Sequence, residues 1–462
     1  PDGLAVMRSK AYLGVLALAV VLGVPIAVLA YGFLKLTTLV QQSAFTDLPR
    51  GLGLHEAPPW WPLIPLAAAG LLTGLSIRLL PGHGGESPAA GFSGLGITTR
   101  EKLPGIFCAA LASIGLGAVI GPEMPLIALG GGLAYLAVTL VRRDLPHQAG
   151  ALISATGSFA AISTLLGTPL AGAFLLLEAS SIGGALATAV LLPGLLASGI
   201  GALIFTGLDS LTGFGTFSLA IPNLPAVGTP SIAEFGWAIA IGLVAAPLCA
   251  VLRRAAVAVG GRARGHPVAL TTVLGLVMGG LAIGYAEGTG HGVSDVLFSG
   301  QDQLPGLIAD SAKYSIGALL LLLLCKGLAY TAALGAFRGG PTFPAMFLGA
   351  AGGIALSHLP GLTLVPALAM GLGAMTAAML RLPMTAVLLT TLFLGTDGFP
   401  VIPLTIVAVV VAHVAGVWLT PRSAEISGEA GAQSGRGAPP LPQPRTQPSG
   451  GPARPAGTSS SD

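Results

Sequence analysis

Gly121-Pro122-Glu123-Met124-Pro125-Leu126-Ile127-Ala128-Leu129-Gly130 decides the reading of this chain, because the pattern returns. Its second copy is Gly340-Pro341-Thr342-Phe343-Pro344-Ala345-Met346-Phe347-Leu348-Gly349, with Gly, Pro, Pro, Leu and Gly at the same positions and an offset of 219 (340 less 121). Gly82-His83-Gly84 pairs with Gly290-His291-Gly292 at an offset of 208, and Thr168-Pro169-Leu170 pairs more loosely with Leu382-Pro383-Met384 at 214. Matches in one order at a nearly constant offset mark an internal repeat. Each Gly-Pro-x-x-Pro segment opens an apolar run that reads as a helix. Pro at a helix start is tolerated because its missing N–H would be unpaired there. The N–H groups that follow stay free and, with the helix dipole, attract an anion.

The solvent of this chain is lipid. Of its 462 residues 53% are hydrophobic and 8% charged, against about 25% charged in soluble domains. So few charges cannot make a water-facing surface. The 69 Gly and 36 Pro allow close helix packing and interrupted helices beside a cavity, as in a transporter or channel. The net charge of +3 gives no footprint for nucleic acid. Cys108, Cys249 and Cys325 lie in apolar runs and read as buried small hydrophobes. No metal-ligand spacing or cofactor motif stands out.

Apolar runs follow one another from Tyr12 to the neighbourhood of 420. Several are too short to cross a core of about 30 Å at about 1.5 Å per residue, as an ion site at mid-membrane depth requires. Basic residues set the orientation. Arg8 and Lys10, Arg142 and Arg143, and Arg253, Arg254, Arg262 and Arg264 are expected in the cytoplasm, whereas 41–58 and 207–230 are expected outside. The expected layout is a cytoplasmic N-terminus (1–10), a first membrane repeat (11–206), an extracellular linker (207–230), an inverted second repeat (231–420) and a disordered cytoplasmic tail (421–462). The fold class is an all-α polytopic membrane protein with tilted and broken helices, its site where the halves meet.

Glu123 is a carboxylate in an apolar setting, which is costly and usually functional. At a helix start it takes the place of the anion when ionised and leaves when protonated. The plainer alternative is an acidic first-turn residue favoured by the helix dipole.

These residues resemble the CLC chloride channel and transporter family over about 8–420. Gly121 to Pro125 resembles the family's Gly-[Lys/Arg]-Glu-Gly-Pro motif, and Gly339 to Pro344 its Gly-Gly-x-Phe-x-Pro motif. Gly82 to Pro88 stands where the family has Gly-Ser-Gly-Ile-Pro, and Thr168 to Gly172 resembles Ala-Pro-Leu-Ala-Gly. The resemblance implies a homodimer in the plasma (inner) membrane, one anion pathway per subunit, and Glu123 as the external gating glutamate. It implies anion ligands at Thr342, Phe343 and Met124, with His83 or Ser87 in place of the family's serine. Expected partners are chloride or another small anion, protons and lipid.

Several positions depart from the pattern. Pro122 and Met124 replace the basic residue and the second glycine of the gate motif, and Pro341 has no N–H to give. Glu178-Ala179 replaces the adjacent acids of many exchangers, so the inner proton glutamate is missing and Glu178 reads as a structural carboxylate. That leans toward weak or absent proton coupling. The family's C-terminal tyrosine ligand has no match, since no tyrosine follows Tyr330. Lys326 is expected to pair or snorkel, Arg381 and Asp397 to be interfacial, His413 to be packed or hydrogen-bonded, and Trp60 and Trp61 to join an outer belt. A fluoride-exporting variant of the fold is a further reading. An intramembrane hydrolase would need a paired nucleophile and base; Ser158, Ser163, Ser198 and His413 are the available residues, joined by no motif.

Overall fold

Long apolar runs with Ser or Pro at their heads become helices. The computed structural model describes residues 7–420 except 55–56, 92–95, 143, 181–183, 213–220, 222–223 and 226. The expected tail (421–462) therefore lies outside the described residues, as do parts of the N-terminus and of the linker. The first half holds α1 (Lys10–Gln42), α2 (Leu63–Leu79), α3 (Leu103–Gly115), α4 (Glu123–Val141), α5 (His147–Leu166), α6 (Pro169–Ser180) and α7 (Gly184–Thr212). The second holds α8 (Ile232–Ala263), α9 (Pro267–Thr289), α10 (Ile316–Ala336), α11 (Thr342–Leu356), α12 (Leu364–Leu380), α13 (Pro383–Leu394) and α14 (Ile402–Trp418). Eight helices among the described residues are long and apolar enough to cross a membrane. Others, such as α11 with 15 residues, fall short of the roughly 20 that a span needs. The protein is thus an all-α, multi-pass membrane protein of full and partial spans.

Packing repeats the sequence repeat. α4 lies on α5 as α11 lies on α12. Both contacts need bare backbone: a Cβ on Gly130 would strike Gly157 O, and one on Gly349 would strike Gly371 O. These glycines keep the sequence offsets, 219 for Gly130 to Gly349 and 214 for Gly157 to Gly371. Close backbone approach is how helices gain packing where lipid gives no hydrophobic drive. The halves join through α2 on α9 and α6 on α13.

Side-chain caps mark three helix starts and are missing at the two Gly-Pro starts. Ser9, Ser231 and Ser315 cap α1, α8 and α10 with their side chains; Ser231 and Glu234 form a reciprocal capping box, and Thr363 Oγ1 donates to Glu234 Oε1 at 2.7 Å. α4 and α11 have Pro122 and Pro341 at the cap position and no side-chain cap. The prolines thus stand one residue ahead of the helices.

Lys326 corrects an expectation, since it neither pairs with a carboxylate nor snorkels. It is fully buried, and Nζ donates to the carbonyls of Asp295, Val296 and Leu297 at 2.9, 3.1 and 3.1 Å, with Phe298 O at 3.5 Å. Carbonyl oxygens thereby replace the water that an ammonium needs. Nζ also lies 4.2 Å from the centroid of Phe347, on α11. The same loop reaches the first half, where Phe298 N–H donates to Gly117 O at 3.1 Å. Trp61 and Cys108 also differ from expectation. Trp61 is buried with Nε1 on Ala44 O at 2.9 Å, so of this adjacent pair Trp60 alone is exposed. Cys108 is exposed, unlike Cys249 and Cys325. His413 Nδ1 is buried with no hydrogen-bond partner among the described residues. Arg381 adopts the left-handed conformation at the end of α12. The side chain of Asp397 lies outside the described residues.

Candidate functional site at two facing helix starts

Gly121 and Gly340 meet as an isolated antiparallel bridge. Gly121 N–H donates to Gly340 O at 2.8 Å and Gly340 N–H to Gly121 O at 2.6 Å. The repeat motif therefore pairs with its own copy, and α4 and α11 begin two residues beyond the contact. At each start the first free N–H that turns back into the helix is the fourth, Leu126 to Pro122 O and Ala345 to Pro341 O. Pro125 and Pro344, at the third position, have no N–H. The donors left without a partner inside their own helix are then Glu123 and Met124 on α4, and Thr342 and Phe343 on α11. Two pairs of N–H groups at facing helix starts have the chemistry that an anion site without a fixed cation requires.

Glu123 fills it. Its side chain crosses from α4 to the start of α11, where Thr342 N–H donates to Oε1 at 2.5 Å. The carboxyl is 1% exposed. Neither Oε2 nor the nearby buried hydroxyl of Thr342 completes a hydrogen bond of good geometry. Ionised, the group satisfies the helix start and occludes it. Protonated, it gains a donor and loses its attraction to the dipole.

The remaining candidates divide around the loop 82–88. Met124, Pro125 and His83 line a cavity of about 340 Å³ that ends beside Gly339, one residue from the bridge. Ser87 lines a different cavity of about 300 Å³, with its Oγ 3.5 Å from Leu334 O. Left-handed or positive φ at Gly82, His83, Gly84 and Gly85 turns the loop between them. Of the two candidates for the serine's place, His83 shares the cavity of Met124 and Ser87 does not. Pro341 O accepts from the fully buried Tyr330 hydroxyl at 2.6 Å. A tyrosine thus stands against the site from α10, with its O–H committed to the backbone. Arg338 was given no role by the sequence, yet it lines both cavities. A lone Arg ahead of Gly339-Gly340 was the available signal.

Glu178 caps the other repeat pair. Its Oε1 accepts from Met384 N–H at 2.9 Å, and Oε2 from Thr385 N–H at 2.8 Å and Thr385 Oγ1 at 2.6 Å. It closes the start of α13 from the end of α6. Of the hydrolase candidates, Ser158 Oγ donates to Ile127 O and Ser198 Oγ to Phe159 O, whereas Ser163 Oγ and His413 Nδ1 are buried with no hydrogen-bond partner among the described residues.

The family model described as "Voltage gated chloride channel" matches residues 93–416. The "Putative ion-transport protein YfeO" of Shigella boydii serotype 4 (strain Sb227) is 29% identical over 351 residues, covering 74% of this chain and 79% of that protein. The protein of the same name from Escherichia coli (strain SMS-3-5 / SECEC) is 30% identical over 348 residues, with the same shares. Among solved structures, a slow cyanobacterial Cl-/H+ antiporter is similar with a TM-score of 0.71 at 20% identity, covering 91% of this chain and 98% of that one. A CLC-type fluoride/proton antiporter is similar with a TM-score of 0.65 at 19% identity, covering 89% and 98%. At these identities the likeness to solved structures shows the fold alone.

Proposed function

The chain belongs to the voltage-gated chloride channel family, and on that premise we propose that it moves a small anion, chloride by default, through a pathway gated by protonation of Glu123. One observation carries the gate: the Glu123 carboxylate occupies the start of α11 and takes the Thr342 N–H that an anion would take. A permeant ion and the ionised side chain then compete for the same donors. Thr342, Phe343 and Met124 supply the site, and His83 flanks the way to it. With Glu178 held by α13 and no acid at Ala179, nothing at that position relays a proton inward, which supports a weakly coupled or channel-like pathway. Family membership supports a homodimer with both termini in the cytoplasm.

The sign of the pH effect follows from the competition. Acidification protonates Glu123 and frees the site, so flux rises as external pH falls. Glu123→Gln cannot ionise and is expected to give high flux at all pH values. The test is anion efflux from proteoliposomes with external pH recorded. Uphill proton movement driven by the anion would establish exchange; anion movement without protons would establish a channel-like pathway. Fluoride flux without chloride flux would assign the fluoride branch. An unchanged pH profile in Glu123→Gln would remove Glu123 from the gate.

A further inference from the structure

Arg338 stands in the membrane part with no carboxylate beside it. Its backbone N–H donates to Ser113 Oγ at 3.1 Å, and that hydroxyl pairs with Thr73 Oγ1 at 3.0 Å. Its side chain is held by Nε to His83 O at 3.3 Å and Nη1 to Phe337 O at 3.2 Å. Nη2 donates to nothing among the described residues. The residue is half-buried, and no described acid pairs with it; Glu86 lies exposed at the rim of the same cavity and makes its own contact. An unpaired guanidinium at this depth is costly, and such residues mark ion pathways. The two carbonyl contacts fix the plane of the guanidinium but leave its charge uncompensated.

Its position supplies the missing partner. Arg338 lines the cavity that ends at Met124 and Gly339, with exposed Lys102 at the same wall, and also the cavity on the far side of loop 82–88, with Arg264. Arg338 thus borders both cavities, and in the first it is followed directly by Gly339 and the Gly340 of the bridge. We propose that Arg338 is a second anion site, a capture site on the loop 82–88 side that hands the permeant ion to the Thr342–Phe343 site. This rests on the anion-transport reading above. The uncommitted Nη2, beside the remaining N–H of Nη1, presents two donors in one plane. That geometry holds a planar oxyanion such as nitrate through two oxygens, whereas a spherical halide gains only the charge.

The test compares wild type, Arg338→Lys and Arg338→Gln as intact protein. Initial flux into proteoliposomes is read against chloride and nitrate concentration. Arg338→Gln is expected to raise the half-saturating concentration of both anions about tenfold, a loss of about 1.4 kcal/mol, with maximal flux little changed. Arg338→Lys keeps the charge and loses the fork, so chloride half-saturation stays near wild type while that of nitrate rises to meet it. A merely structural Arg338 would lower maximal flux and leave half-saturation unmoved, which overturns the proposal. If Arg338→Gln is not recovered as folded protein, the nitrate-to-chloride ratio in Arg338→Lys decides alone. If wild type carries neither anion, the transport reading fails. Nitrate calorimetry on detergent-purified wild type and Arg338→Lys then still tests the site, and equal nitrate binding by the two would refute it.

Discussion

Two glutamates reach from one half of the molecule to a helix start in the other, and they do so differently. Glu178 gives both oxygens to α13 and accepts three hydrogen bonds. Glu123 gives Oε1 to the Thr342 N–H of α11, while its buried Oε2 completes no hydrogen bond of good geometry. A carboxylate whose acceptor sites are filled is a permanent cap, because removing it strands several donors at once. A carboxylate with an orphan oxygen is held less completely and carries an unmet desolvation cost. The same residue type at the same kind of site is riveted in one place and, on the proposed reading, a removable plug in the other. The difference lies in how many of the receiving helix's donors the carboxylate takes. Met384 and Thr385 follow Pro383 with two N–H groups and a hydroxyl, all of them used. In α11 the Thr342 hydroxyl stays unused.

Exchanging the properties of the two sites tests that contrast. The largest effect is expected from Glu123→Gln: flux at alkaline external pH rises about tenfold or more and loses its pH dependence, with thermal stability close to wild type. Gly340→Ala should eject the plug without altering it, since a Cβ there would collide with the Glu123 carboxyl. Severalfold higher alkaline flux is expected, and tightly closed alkaline flux would show that the side chain does not sit at α11 in the working protein. Glu178→Ala should leave the pH profile of flux intact and cost about 1–3 kcal/mol, read as a lower unfolding temperature in detergent. A shifted pH profile in that variant would undo the distinction. Thr342→Val is expected to change stability by less than about 1 kcal/mol, because its hydroxyl gives up no hydrogen bond. Its effect should fall on the half-saturating anion concentration alone.

The repeat, the facing helix starts and the lone acid between them were legible because each leaves a local mark. Prolines at fixed spacing announce a helix start, and a carboxylate in an apolar run announces a cost. What stayed hidden depends on distance through space. Tyr330 looks like any core aromatic until its hydroxyl is seen on Pro341 O. Arg338 looks like a loop residue until both cavities are found to share it. His83 and Ser87 are four residues apart and equivalent by composition. The positive φ values between Gly82 and Gly85 send them to different cavities, and no rule of spacing predicts a non-glycine such as His83 in that conformation. Lys326 was misread because its partners are backbone carbonyls, which every sequence contains.

The bridge between Gly121 and Gly340 treats the two halves alike, each giving one N–H and receiving one. Such a contact carries no sense of direction: rotated about an axis in the plane of the membrane, it would look the same. The residues two places on break that equivalence, with Glu123 on one side and Thr342 on the other. The asymmetry of the junction, carboxyl against hydroxyl, is therefore written in the side chains at one pair of positions, while the backbone that carries them is neutral between the two halves.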